Sequence, residues 1–330
     1  MINPIQKLNP KLFDLNVERV PIRDGFGEGL VEAGEKNQQV VALCADLVES
    51  TRIEKFAKQF PERFVEIGVA EQNLVTVASG LAAMGKIPFT ASYACFSPGR
   101  NWEQIRTTIT YNDVPVKIVG AHAGISVGPD GGTHQMLEDL ALMRVLPNMV
   151  VVVPCDSVEA KKATLGIADN GKPSYIRLAR NKSAVVTTES SPFAIGKANV
   201  LIDPDYADVA VIACGQMVYY SLLAARQLEI EGIKVSVTNL HTIKPIDTET
   251  IHRVAANSGA VVTVEEHQVA GGLGSAVAEV LATTFPVPME FLGVQDKYGQ
   301  SGEPGELLEH YGLGVKDIVV AVKKVMGRKR

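Results

Sequence analysis

Cysteine is scarce and scattered in this chain. Cys44, Cys95, Cys155 and Cys214 are the only four in 330 residues, and none forms a C-x-x-C pair. A disulfide framework is therefore not expected. Most of these thiols sit in apolar runs, where they pack as small hydrophobes, and that usage fits a reducing cytoplasm. Long apolar runs are lacking too: none approaches the roughly 18–20 residues that span a bilayer. The N-terminal Met1-Ile2-Asn3-Pro4 has no basic-then-apolar signal pattern, so the expected location is cytoplasmic. Charge is nearly balanced at −5, which leaves no field to draw the chain to nucleic acid or an anionic membrane. The one dense basic run, Lys323, Lys324, Arg328, Lys329 and Arg330, reads as a solvated helix end.

Several signatures are missing as well. There is no G-x-x-x-x-G-K-[ST] loop and no H-E-x-x-H pair. The glycines of Val269-Ala-Gly-Gly-Leu-Gly-Ser275 could open a helix, but Val277 stands where G-x-G-x-x-G needs its last glycine, which excludes a Rossmann fingerprint. His241, His252, His267 and His310 have no ligand-like neighbours and read as structural.

What is present is ordinary globular material. Apolar residues make up 46% and charged residues 21%, and the length suits two domains. Short β-branched runs at 40–45, 88–94, 116–121, 149–153 and 175–178 alternate with amphipathic stretches at 25–34, 72–84, 101–111 and 158–169. Asp156 or Ser157 is a plausible cap for the last of these. Near-continuous apolar strands between helices predict a parallel sheet covered on both faces. The polar, aperiodic segment 187–192 marks a break, and a second series follows. Its strands are expected at 209–214, 234–240, 260–265 and 288–292, and its helices at 219–231, 248–257, 275–284 and 315–326. The expected fold class is α/β in two domains, residues 1–190 and 191–330, each a mostly parallel sheet flanked by helices.

Three constellations could carry chemistry. In Ile67-Gly-Val-Ala-Glu71-Gln-Asn73 a glutamate stands at a strand-to-helix junction, where open α/β folds place ligands. A helix-start glutamate also gains from the helix dipole alone. In Gly128-Pro-Asp130-Gly-Gly-Thr-His134-Gln135 the glycines make a tight turn that can bring backbone close to a ligand, with Asp130 and His134 on it. His122, ending the strand before this turn, points to the same edge. In Ser92-Tyr93-Ala-Cys-Phe96-Ser-Pro-Gly-Arg100-Asn-Trp102 aromatic rings could stack on a flat heterocycle or simply pack at the sheet edge.

Together, in this order, the motifs resemble the pyrimidine-binding domain of transketolases, and residues beyond Thr187 resemble that family's C-terminal domain. The phrases N-L-H-T-I-K-P-I-D at 239–247, V-E-E-H at 264–267 and G-G-L-G at 271–274 add to the likeness, which runs from about Asn16. The resemblance implies thiamine diphosphate as cofactor. Glu71 then matches the glutamate that bonds the aminopyrimidine N1′ and, with His134, is the expected catalytic residue. Phe96, Tyr93 and Asp46 match cofactor contacts. Arg23, Ser50, His122, Asp130, His134 and Arg180 match sugar-phosphate contacts, a role in which arginine pairs bidentately with phosphate. Pro98-Gly99 interrupts the family's aromatic loop, and Trp102 is the candidate replacement ring.

The family's diphosphate anchor, G-D-G followed by a distant asparagine, does not occur in this sequence. The resemblance therefore implies a split enzyme: a partner subunit holding the diphosphate and Mg²⁺, an α2β2 assembly, no metal ligand here, and transfer of a two-carbon ketol unit between sugar phosphates. Apolar surface on helix 72–84 is the candidate interface. Alternatives are the β subunit of a 2-oxo acid dehydrogenase, a deoxyxylulose-phosphate-synthase-like enzyme, or a non-catalytic regulatory subunit.

Overall fold

The computed structural model describes residues 2–329, so Arg330 of the basic run lies outside the described residues. Two sheets organise the chain. The seven-stranded sheet runs in spatial order Thr242–Lys244, Val150–Val152, Ser174–Arg177, Lys117–Ala121, Ile87–Tyr93, Val40–Cys44 and Phe64–Glu66. All neighbours are parallel except the edge strand Thr242–Lys244, which pairs antiparallel with Val150–Val152. That edge strand comes from beyond the polar break. The strands Val40–Cys44 and Lys117–Ala121 are buried along their whole length, as β-branched runs covered on both faces should be.

The five-stranded sheet has the order Met289–Val294, Val261–Gln268, Val209–Ala213, Val235–Asn239 and Asn199–Ile202, with only the last antiparallel. Apolar clusters join the units, one with Leu43, Ile118 and Val151 on one side and Ile212, Leu240 and Leu273 on the other. Arg19–Pro21 and Lys182–Ala184 form a separate antiparallel pair. Two α/β units with mostly parallel sheets are thus present, as expected. Among the described residues no helix is long and apolar enough to cross a membrane.

Local signals explain most elements. Asp156 caps helix Ser157–Asp169, its carboxylate accepting from Glu159 N at 2.8 Å, and also accepts from Val186 N and Thr187 N. The stretch expected as one helix at 101–111 instead begins as the short turn Trp102–Gln104 and continues as a π-helix, Ile105–Thr110. Thr107, Thr108 and Thr110 hydroxyls each donate to a carbonyl four residues back, competing with the regular ladder. The helix Glu71–Ala83 buries Leu74, Val75, Ala78 and Ala82 in the core, while Gln72, Asn73 and Gly80 face outward with the largely exposed Met84 just beyond its end. At the C-terminus Lys323 pairs with Glu231, and both Lys324 and Arg328 pair with Glu290.

Candidate active site

The parallel strands of the larger sheet end at one edge, and the functional candidates leave from it. Asp46 and Ser50 follow Val40–Cys44, Tyr93 and Phe96 close Ile87–Tyr93, His122 follows Lys117–Ala121, and Arg180 follows Ser174–Arg177. This is the carboxyl edge at which open parallel sheets bind ligands.

An aromatic platform forms first. The rings of Tyr93 and Phe96 stack with centroids 5.9 Å apart and planes 15° apart. On Tyr93 lies the His122 ring, 3.8 Å away at 24°. His134 meets Phe96 edge-on at 5.5 Å and 74°. Trp102 does not join them: its Nε1–H donates to Leu142 O at 2.8 Å and its ring packs against the core. Its indole is tied to Leu142 instead of to the Tyr93–Phe96 stack.

Glu71 opens the helix Glu71–Ala83 with its side chain 3% exposed. Arg100 Nη1 donates to Glu71 Oε2 at 3.0 Å, and the Arg100 guanidinium carbon lies 4.4 Å from the Phe96 centroid. Asn101, fully buried, donates through Nδ2 to Glu71 O at 2.8 Å and to Ser97 Oγ at 3.1 Å, which fixes the aromatic loop to the helix start.

A cationic corner surrounds His122. Its φ of 54° lies in the left-handed region, a strained setting for a non-glycine residue, and it aims the ring back over Tyr93. Arg23 Nη1 lies 2.8 Å from His122 Nε2 and 3.1 Å from Ser50 O. Because arginine only donates, Nε2 accepts and Nδ1 carries the proton. Burial, then Arg23, Arg180 and Arg52, pushes the His122 pKa down to about 3. The imidazole is therefore neutral at ordinary pH. Burial and then Arg52 likewise lower the Arg23 pKa, with Arg180 acting in the same direction. Arg180 itself donates to Val127 O at 2.8 Å, and Arg52 to Asp24 Oδ1 at 2.7 Å. His122 Nδ1 and Arg23 Nε are buried with no hydrogen-bond partner in the protein, which leaves both free to donate to a polar ligand.

The glycine turn is held by packing within the chain. Gly131, with φ 76°, would set a Cβ 2.6 Å from Ser301 Oγ, and a Cβ on Gly132 would lie 2.6 Å from Gly299 O. These glycines let the turn pack on the chain's own 299–304 segment, and Gln135 Nε2 bonds to Gln300 O at 2.9 Å. Asp130 is left exposed on the turn, and His134 Nδ1 lies 2.9 Å from Thr133 Oγ1. Asp46 is also exposed, with φ 58°, and its N–H donates to Glu66 Oε1, which also takes Gly68 N. The second glycine loop has its anion already: Glu265 accepts from Leu273 N and Gly274 N at a helix start, and a Cβ on Gly272 would lie 2.0 Å from Glu265 Oε2.

The structure thus gathers Tyr93, Phe96, His122 and His134 in one ring cluster, joins Glu71 to it through Arg100, and joins Arg23 and Ser50 to it through His122. Asp46 and Asp130 stand on the same edge without a direct contact to that cluster. Sequence reasoning missed Arg100, Arg52 and Asn101. Arginine within a loop has no periodicity to flag it; only its spacing from Phe96, one helical turn, hinted at stacking.

Comparison with known proteins decides the family. Residues 18–184 match the transketolase pyrimidine-binding domain and residues 196–318 the transketolase C-terminal domain. The chain belongs to the transketolase family. It is 43% identical to a putative transketolase C-terminal section of Methanocaldococcus jannaschii, covering 93% of this chain and 97% of that protein. It is 42% identical to 6-deoxy-6-sulfo-D-fructose transketolase subunit SqwH of a Clostridium species, covering 96% and 98%. A solved split-gene transketolase, described as an inactive beta4 tetramer, superposes with a TM-score of 0.88 at 46% identity, covering 94% of this chain and 100% of that one.

Transketolase membership implies dependence on thiamine diphosphate. The residues present fit the aminopyrimidine end of that cofactor: a buried carboxylate at a helix start beside the stacked Tyr93 and Phe96 rings. Among the described residues no group of three or more His, Cys, Asp or Glu could hold a metal ion.

Proposed function

We propose that this chain is the C-terminal subunit of a two-subunit transketolase, transferring a two-carbon ketol unit from a ketose phosphate to an aldose phosphate. The observation that carries the reading is Glu71 at a helix start beside the Phe96–Tyr93 stack, on the same sheet edge as the His122 corner. Bound there, thiamine diphosphate supplies the nucleophilic carbon that accepts the ketol unit. Glu71 holds and relays a proton at its carboxylate. An amide at that position could hold a bond but not the relay. Phe96 and Tyr93 offer flat apolar faces, and Asp46 lies at the cofactor's edge. His134 works beside the donor, and Asp130 reads a donor hydroxyl.

Arg23, Ser50, His122 and Arg180 hold the anionic end of the sugar. A neutral His122 suits this role, since its free Nδ1–H donates without adding a charge that three neighbouring guanidinium groups would repel. The sulfo-sugar in the name of the Clostridium relative also ends in an anion, so phosphate and sulfonate share the recognition chemistry; phosphate is our assignment. Mg²⁺ and the diphosphate fall to the N-terminal partner subunit, in an α2β2 assembly with sugar phosphates as substrates and the cytoplasm as location. We place the division between the two units at residues 190 and 191. In its support, Thr187 is tied to Asp156 of the first unit, whereas Ala198 N donates to Asp247 Oδ2 of the second.

The test is co-expression with the partner subunit and a ketol-transfer assay on phosphorylated and non-phosphorylated ketoses. Transfer restricted to the anionic ketoses is expected. Equal use of a non-phosphorylated 2-oxo acid would favour the dehydrogenase alternative.

A further inference from the structure

Arg100 makes, within this chain, the two contacts assigned above to the aminopyrimidine. Its guanidinium is planar, lies over the Phe96 face at 4.4 Å and donates to Glu71 Oε2 at 3.0 Å. Arginine is suited to such a place because one flat group both stacks and forks toward a carboxylate. The side chain is nonetheless 53% exposed, whereas Glu71 is 3% exposed. The carboxylate is fixed and the cation over it can swing away.

We propose that Arg100 is a built-in occupant of the pyrimidine site, which cofactor must displace to reach Glu71 and Phe96. The proposal rests on the thiamine diphosphate reading. It also gives Arg100 a purpose that packing does not. With the site empty, a buried Glu71 carboxylate would stand unpaired beside a bare aromatic ring, both unfavourable. Arg100 covers them until a heterocycle arrives, and because it competes for the same two groups it lowers the apparent affinity. If the covered form holds about nine-tenths of the population, apparent affinity falls about tenfold, since only the open fraction is competent. Once displaced, Arg100 lies at the mouth of the site, where its half-exposed side chain reaches solvent.

The experiment is calorimetric titration of thiamine diphosphate with Mg²⁺ into the chain assembled with its diphosphate-binding partner subunit, for the natural protein and for Arg100→Ala and Arg100→Lys. Binding, not turnover, is the readout. Arg100→Ala should bind about tenfold more tightly, equivalent to about 1.4 kcal/mol. Arg100→Lys should fall between, because an ammonium keeps the charge but lacks the plane that stacks. Should Arg100→Ala fold poorly with Glu71 uncovered, Arg100→Gln carries the same expectation. Unchanged or weaker binding by a folded Arg100→Ala or Arg100→Gln overturns the proposal. Absence of binding by the natural protein and every variant contradicts the thiamine diphosphate reading itself, and this inference with it.

Discussion

Arg177 and Arg23 both serve the carboxyl edge of the same sheet, yet they are used differently. Arg177 is 6% exposed and bonded through two nitrogens: Nε donates to Asp139 Oδ2 at 2.7 Å, and Nη2 to Glu266 O at 2.9 Å and Met136 O at 3.2 Å. Around it Tyr175 bonds to Asp139, and Glu266 accepts from Ser126 N and Gln216. His267 Nε2 takes Leu140 N, and of these carboxylate oxygens only Asp139 Oδ1 lacks a partner, with His267 Nε2 4.0 Å from it. Arg23, by contrast, leaves Nε unpartnered beside an unpartnered His122 Nδ1. The Arg177 cluster joins strand Ser174–Arg177 to strand Val261–Gln268 of the other sheet; it is a clamp. The Arg23 cluster keeps two buried nitrogens, Arg23 Nε and His122 Nδ1, without a partner in the protein. The first cluster spends its hydrogen bonds tying two sheets together, and the second keeps two buried nitrogens uncommitted at the site edge.

The sharpest break between the two clusters should come from Glu71→Gln. Turnover with the partner present should fall by a large part of the ~10²–10⁴-fold that acid–base catalysis contributes, with unfolding unchanged. Steady-state kinetics beside a thermal melt checks this, and near-normal turnover would sink the assignment. In the clamp, Arg177→Ala should do the reverse. It strands Asp139 as a buried charge and should destabilise the fold by about 3–5 kcal/mol, read by urea unfolding. Stability near that of the natural protein would show that the clamp is not structural.

Acid should strain both clusters at once. Burial holds the pKa of His122 down at about 3 and of His267 and His241 at about 4, below the ordinary 6.5. Between pH 6.5 and about 4 the unfolded chain binds protons at these positions and the folded chain does not. Stability contributed by the neutral rings is thus full above pH 6.5 and is lost as pH falls toward the folded values. At pH 4.5 each should cost up to about 2–3 kcal/mol, seen as a lower urea midpoint than at pH 7.5. A His122→Gln chain should show a shallower decline. The smallest effect belongs to Arg180→Ala. Losing one charge-assisted bond to the sugar phosphate should weaken affinity about tenfold without moving the melt.

Much of the fold was legible because its signals are local. The buried runs now seen at Val40–Cys44 and Val209–Ala213 and the capped helix Ser157–Asp169 carry their own patterns. The edge strand Thr242–Lys244 was not legible: it is three residues long, and only Val150–Val152 from the other unit makes it a strand. The same divide holds at the site. Glu71 and Phe96 stand in recognisable phrases and His122 ends a recognisable strand, whereas Arg100 matters only because folding lays it over Phe96. The packing of the glycine turn was not legible, because the close approach is to residues 299–304, distant in sequence.

Thiamine diphosphate has two ends, and in the proposed function the residues gathered here address only one. The most direct measurement is calorimetric titration of thiamine diphosphate and Mg²⁺ into the purified chain, with and without its partner subunit, alongside turnover. Micromolar, Mg²⁺-dependent binding and ketol transfer are expected only when the partner is present. Micromolar binding and full turnover by this chain alone would contradict the split-enzyme reading.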